Sequence, residues 1–122
     1  MLLVASNKLK QLLTVRFIGQ VLPTELESAR AELAAEIAGL LPDFRYLVDF
    51  TQFEAMNPDN VTEVGQLMEL IAESEVSLVV RVIPDARHDI GMNILTIFHY
   101  PPELKVITFQ TLTEAATALE FQ

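Results

Sequence analysis

The chain has two histidines, His88 and His99, and no cysteine. Histidine is the side chain that most readily moves a proton near neutral pH, so these two are the first candidates for acid–base or metal chemistry. They stand eleven residues apart, which on one helix places them on a shared face but about 16 Å from each other. No single metal ion or proton relay spans that gap. Both are expected to be structural: His88 in a first helical turn, and His99 near a helix C-terminus, where a cation is favoured. The carboxylate pairs Glu32/Glu36 and Glu69/Glu73 fall on polar helix faces and read as solvated surface. Gly19, Gly39, Gly65 and Gly91 are too dispersed to form a phosphate-cradling loop. The expectation is a protein without metal or cofactor that binds and does not catalyse.

One stretch remains, "DFTQFEAMNPDN" at 49–60, where an apolar run opens into a helix-start signal. Asn57 is a strong N-cap residue type and Pro58 is preorganised for a first helical position. Asp59 then falls in the first turn, where exposed amides favour a negative side chain. Asn60 with Glu63 offers a second cap one turn later. Strand-to-helix junctions of this kind are where ligands and partners meet open α/β sheets.

The elements around this junction follow from periodicity. "LLVA" (2–5) and "LKQLLTVRFIG" (9–19) flank the polar Ser6-Asn7-Lys8 and predict a hairpin. Leu13, Val15 and Phe17 alternate with Thr14, Arg16 and Ile18, the period of a half-buried strand. Thr24 and Glu27 fit a capping box ahead of an apolar stripe of Leu26, Ala29, Leu33, Ile37 and Leu40, and Pro42 stops that helix. "FRYLVDF" (44–50) reads as a buried strand. Val61, Val64, Leu67, Met68 and Ile71 recur at helical spacing. "VSLVVRVI" (76–83) is the most strand-like stretch, "ARHDIGMNILTIFHY" (86–100) suits a helix, and "ELKVITF" (103–109) is a further strand. "TLTEAATALEF" (111–121) opens on a second box, Thr111 to Glu114. The resulting β-β-α-β-α-β-α-β-α order calls for right-handed crossovers and a mixed, mostly parallel sheet.

Bulk properties set the limits. The 122 residues, 51% of them apolar, suit one domain over 1–122 with a single core. Seventeen acidic against eight basic residues give a formal charge of −9. Such a field repels a phosphate backbone and disfavours anionic bilayers. The start, "MLLVASNKLK", lacks the basic segment and long apolar core of a signal peptide. No stretch approaches the ~18 uninterrupted apolar residues of a membrane span, and the expected location is the cytoplasm.

This element order resembles the STAS fold of anti-sigma factor antagonists, most closely its SpoIIAA-like branch. Gly19 closes the second strand before a helix, as the family's glycine does. "FRYLVDFT" resembles the strand with an Asp-x-Ser/Thr ending, and "ILTIFHYPPELKVITFQTLTEAATAL" resembles the closing helix, turn, strand and Ala-rich helix. The resemblance covers roughly residues 10–120. It implies a protein-interaction module of bacterial regulation. Signalling members carry an Asp-Ser-Ser-Gly motif after that strand, whose second serine a partner kinase phosphorylates. Laid without gaps from Asp49 and Thr51, the motif's aspartate falls on Asn57, its first serine on Pro58, the phosphorylated serine on Asp59 and the glycine on Asn60. The resemblance therefore implies partner contacts at Asn57, Asp59, Asn60 and Thr51, with a kinase-like or sigma-related protein as partner. It also implies that the serine switch is lost. Thr51 and Thr62 are the remaining hydroxyls nearby, and neither stands at the motif position.

A second surface keeps an alternative open. Ile90, Ile94, Ile97 and Phe98 form one stripe, widened by Met92 and Leu95. A helix apolar over so much of its circumference is buried or covered. Core packing, a homodimer contact and a groove for an apolar ligand such as a lipid all fit. Distant relatives of the branch resemble lipid-binding folds, which supports a small carrier or sensor as the alternative to the protein-interaction module.

Overall fold

The computed structural model describes residues 1–56, 60–84, 100 and 102–120. Its elements are β1 (Leu2–Asn7), β2 (Leu12–Val21), α1 (Pro23–Ala38), β3 (Phe44–Met56), α2 (Val61–Glu73), β4 (Val76–Val82), β5 (Lys105–Phe109) and α3 (Leu112–Glu120). The helix expected over 86–100 falls outside the described residues, apart from Tyr100, and so does the apolar stripe of Ile90, Ile94, Ile97 and Phe98.

One sheet runs in the order β1-β2-β3-β4-β5. β1 pairs antiparallel to β2, and every other neighbouring pair is parallel. The mixed, mostly parallel sheet expected from the sequence is present. The hairpin joining β1 to β2 turns later than Ser6-Asn7-Lys8, since pairing continues to Asn7↔Leu12. The Asn7 side-chain oxygen accepts the Lys10 amide at 3.1 Å, and Gln11 takes a positive φ of 51°. Gln11 also ties the hairpin to the loop after α1, because its side-chain oxygen accepts the Leu41 amide at 2.7 Å.

Strand alternation splits the core in two. Leu13, Val15, Phe17, Tyr46, Val48, Phe50 and Val79 face α1 and α2, where they meet Leu26, Leu33, Val64, Leu67 and Ile71. Leu78, Val80 and Val82 point to the opposite face and are covered by Ala115 and Leu119 of α3. Strand β4 is therefore buried on both sides, which explains its continuous apolar run. Arg45 holds the end of α3 by donating to the Leu119 carbonyl and, at 2.9 Å, to the Lys10 carbonyl.

The two capping boxes come out differently. At α3, Thr111 Oγ1 accepts the Glu114 amide at 3.1 Å and donates to the Glu114 carboxylate at 3.0 Å. At α1 the box does not form. Leu22 is the N-cap, Pro23 occupies the first turn and no side chain caps the helix. Thr24 already lies inside the helix, because proline's fixed φ starts the first turn two residues earlier than a Thr24 cap would.

Leu33 is fully buried, whereas Leu41 is 66% exposed. Leu33→Ala should lower stability by about 2–5 kcal/mol through lost burial and a residual cavity, and Leu41→Ala should change it by less than about 0.5 kcal/mol. Urea denaturation midpoints of the two variants measure this contrast.

Candidate functional site

The carboxyl end of β3 stands out from the sheet. Pairing with β4 stops at Asp49↔Val82, but pairing with β2 continues to Val21↔Met56. Among the described residues the sheet past Asp49 thus narrows to a two-stranded ribbon leading toward α2. Two register shifts shape it, one between Arg16 and Ile18 and one between Gly19 and Gln20. Each places an extra β3 residue opposite β2, which bends the strand and sharpens its twist. Gly19 sits at the second shift with φ +62°, a conformation that side-chain-bearing residues rarely adopt.

Asp49 organises the first shift. It is 3% exposed. Its Oδ2 accepts from Arg16 Nε at 3.1 Å, and its Oδ1 accepts the Thr51 amide at 2.8 Å. A bulge takes an amide out of the regular ladder, and here the carboxylate two residues earlier receives it. Both oxygens are engaged, so Asp49 works as a brace for the chain path. The ribbon is also held from the other face: the rings of Phe17, Phe50 and Phe53 form a trio with centroids 4.8 to 5.9 Å apart. Thr51, half-buried, lies where the ribbon begins.

Asn60 corrects an expectation. Read as a partner-contacting residue and an alternative cap with Glu63, it is 1% exposed and makes no side-chain cap bond at α2. Its side-chain amide donates instead to the Val21 carbonyl at 3.1 Å. Val21 is the last residue of β2 and is 2% exposed. Asn60 therefore fastens the start of α2 to the end of β2, and a buried side chain offers nothing to a partner. Asn57 and Asp59, like Pro58, lie outside the described residues.

A second polar group lies deeper, on the α2 side of the sheet. Arg81, 9% exposed, donates from Nε to Thr108 Oγ1 at 3.0 Å. Near it, Tyr46, Tyr100, Phe50, Val64 and Met68 surround a void of about 30 Å³, room for about one water. Burial pushes the Tyr46 phenol well above its ordinary pKa, and Tyr100 adds to the rise. Burial raises Tyr100 as well, against a lowering by Arg81. Among the described residues no cluster of histidine, aspartate or glutamate could hold a metal ion, and His88 and His99 fall outside them. No described helix is long and apolar enough to cross a membrane.

Sequence reasoning missed the Arg16–Asp49 pair and the Asn60 fastening. The pair had a weak signal, since a charge inside each of two apolar strands suggests that the two meet. Nothing in the sequence marked the Asn60–Val21 contact, which joins residues 39 positions apart.

Asp49→Ala strands the Thr51 amide and should cost about 1–3 kcal/mol. Asp49→Asn keeps an acceptor for that amide and should cost less, and hydrogen exchange at Thr51 should quicken only in the alanine variant. For the tyrosines, the folded-state pKa lies above the unfolded value near 10. The stability they contribute is therefore complete below about pH 10 and is lost as the pH rises from there toward the folded pKa. Denaturation midpoints between about pH 8 and 11 should fall less steeply in Tyr46→Phe and Tyr100→Phe than in the native chain.

No protein-family model matches the chain, and no curated protein matches its sequence. Solved structures do match. An uncharacterized protein of the DUF3478 family with a SpoIIAA-like fold, from Shewanella loihica, superposes with a TM-score of 0.71 at 16% identity over 98% of this chain and 92% of that one. The anti-sigma factor antagonist SpoIIAA in its unphosphorylated form gives 0.65 at 16% identity, covering 98% of both chains. An anti-sigma factor antagonist from Mycobacterium paratuberculosis gives 0.58 at 17% identity, over 98% and 93%. At near-complete coverage of both chains, these likenesses show that the chain has the SpoIIAA-like fold.

Proposed function

We propose that this protein is a regulatory STAS-like module that works by binding a protein partner, with no chemical step of its own. The observation that carries this reading is the projecting end of β3. The sheet narrows there to a braced ribbon, in a fold shared with structures described as anti-sigma factor antagonists. The contact residues we assign are Thr51, Asn57 and Asp59. Asn60 serves by holding α2 against β2. When the resembled motif is laid without gaps from Asp49 and Thr51, Asp59 falls where signalling members carry the phosphorylated serine. A carboxylate brings roughly half the charge of a phosphoserine at neutral pH and no hydroxyl, so the module is not reset by a serine kinase. The partner class we assign is a kinase-like or sigma-related regulatory protein.

Affinity capture from native lysate tests this. A kinase-like or sigma-related protein should be retained by the native chain and lost from Asp59→Lys, with weaker retention by Asn57→Ala. Retention of every captured protein by both variants would sink the proposal. In the same preparation, incubation with ATP and a captured kinase should leave the chain unphosphorylated, and phosphate at Thr51 or Thr62 would show that the switch has moved to a threonine.

A further inference from the structure

We propose that the outer edge of β1, together with the acidic stripe of α1 beside it, is a docking groove for an extended basic segment of a partner protein. The segment would add to the sheet as a sixth strand. This surface is separate from the end of β3 and does not rest on the function assigned there.

The hydrogen bonding of β1 identifies the groups on offer. Met1 and Ile18 exchange both backbone bonds, at 2.7 and 2.8 Å, which makes them a closely spaced antiparallel pair. Such pairs alternate with residues whose amide and carbonyl point away. Leu3, Ala5 and Asn7 therefore bond to β2, and Leu2, Val4 and Ser6 turn their backbone groups to the open edge. Among the described residues β1 has a neighbouring strand on one side only. Natural edges are usually blunted by charge, proline or a bulge. The six residues LLVASN contain no charge and no proline, and their pairing to β2 has no register shift.

What flanks the edge sets the chemistry of the occupant. Glu25, Glu32 and Glu36 recur on one side of α1. A groove of about 260 Å³ runs between Met1 and Leu2 on one wall and Thr24, Glu25, Ser28 and Glu32 on the other. Farther along, Ser6 Oγ donates to Glu36 Oε2 at 2.5 Å, so the helix follows the strand to its end. The lengths agree: eleven helical steps from Glu25 to Glu36 cover about 16 Å, and five strand steps cover about 17 Å. The amino terminus already engages Glu25 at 3.0 Å. Glu32 is exposed and has no ion-pair partner among the described residues.

A second copy of this chain fits poorly, because a two-fold pairing of β1 with itself would bring two acidic stripes together in a molecule of charge −9. A peptide with alternating cationic and apolar residues fits both walls. Its cations would face the glutamates beside Leu2, Val4 and Ser6, and its apolar residues would extend the surface of Leu3, which is 44% exposed. Main-chain bonds would supply affinity and alternate side chains selectivity.

The probe is a labelled eight-residue peptide alternating lysine and valine, with a glutamate–valine peptide as control. Fluorescence anisotropy at low salt should show binding of the lysine peptide alone, and amide NMR shifts should concentrate on residues 2 to 6. Val4→Pro removes an outward amide at an edge position that tolerates proline, and Glu32→Lys reverses the charge. Each should weaken binding by about tenfold or more, the latter with loss of salt dependence, and circular dichroism checks that both variants fold. Asp59→Lys should leave the affinity unchanged, which separates this surface from the one at β3. Equal binding of the control peptide, unaltered affinity in Glu32→Lys, shifts centred elsewhere, or a dimer paired through β1 in sedimentation would each overturn the proposal.

Discussion

A carboxylate inside a protein costs free energy unless its oxygens are bonded, and the shape of this sheet depends on how Asp49 meets that demand. One oxygen takes the Arg16 guanidinium from β2 and the other takes the Thr51 amide from its own strand. The first bond fixes β3 against β2. The second absorbs the amide displaced by the bulge. Together they let β3 leave β4 and travel on with β2, its one partner there among the described residues. Where the chain next turns, at the entry to α2, Asn60 closes the remaining gap by donating to the Val21 carbonyl. A site at this end of the sheet is therefore held by buried polar contacts on rigid elements, the arrangement that positions a recognition surface well.

The two faces of the sheet carry different loads. Helices α1 and α2 cover one face over β1 to β4 with a continuous apolar core, and α3 covers mainly β4 and β5 on the other. This leaves β4 as the dry centre and β1 as a thinly covered margin. The two surfaces proposed for interaction fall where coverage ends: the ribbon past Asp49, and the flank between β1 and α1. The acidic excess is placed accordingly. On α1 the apolar stripe faces the sheet, and Glu25, Glu32 and Glu36 are left along the β1 side. The net charge thus has a spatial meaning beyond solubility.

Much of the architecture was legible in the residues because its causes are local. Alternation of Leu13, Val15 and Phe17 needs only the strand period, and the Thr111–Glu114 cap needs only four residues in a row. At the start of α1 two local signals compete, and the proline at position 23 acts on the backbone directly, where a Thr24 cap has to wait for a turn. The polarity of Ser6 and Asn7 suggests an earlier turn, but polarity on an edge strand is compatible with pairing.

Over the described residues, the sequence by itself determined the element types, their order and the mostly parallel sheet, because hydrophobic period and turn chemistry act over a few residues. Only the tertiary structure decided that Asn60 is buried, that Asp49 braces a bulge with Arg16, and that an acidic helix face lies along an unpaired strand. Those contacts join residues 33, 39 and 30 positions apart. No short-range pattern encodes which distant partner a polar side chain will find. That choice is made when packing brings particular backbone groups into places where water cannot reach them.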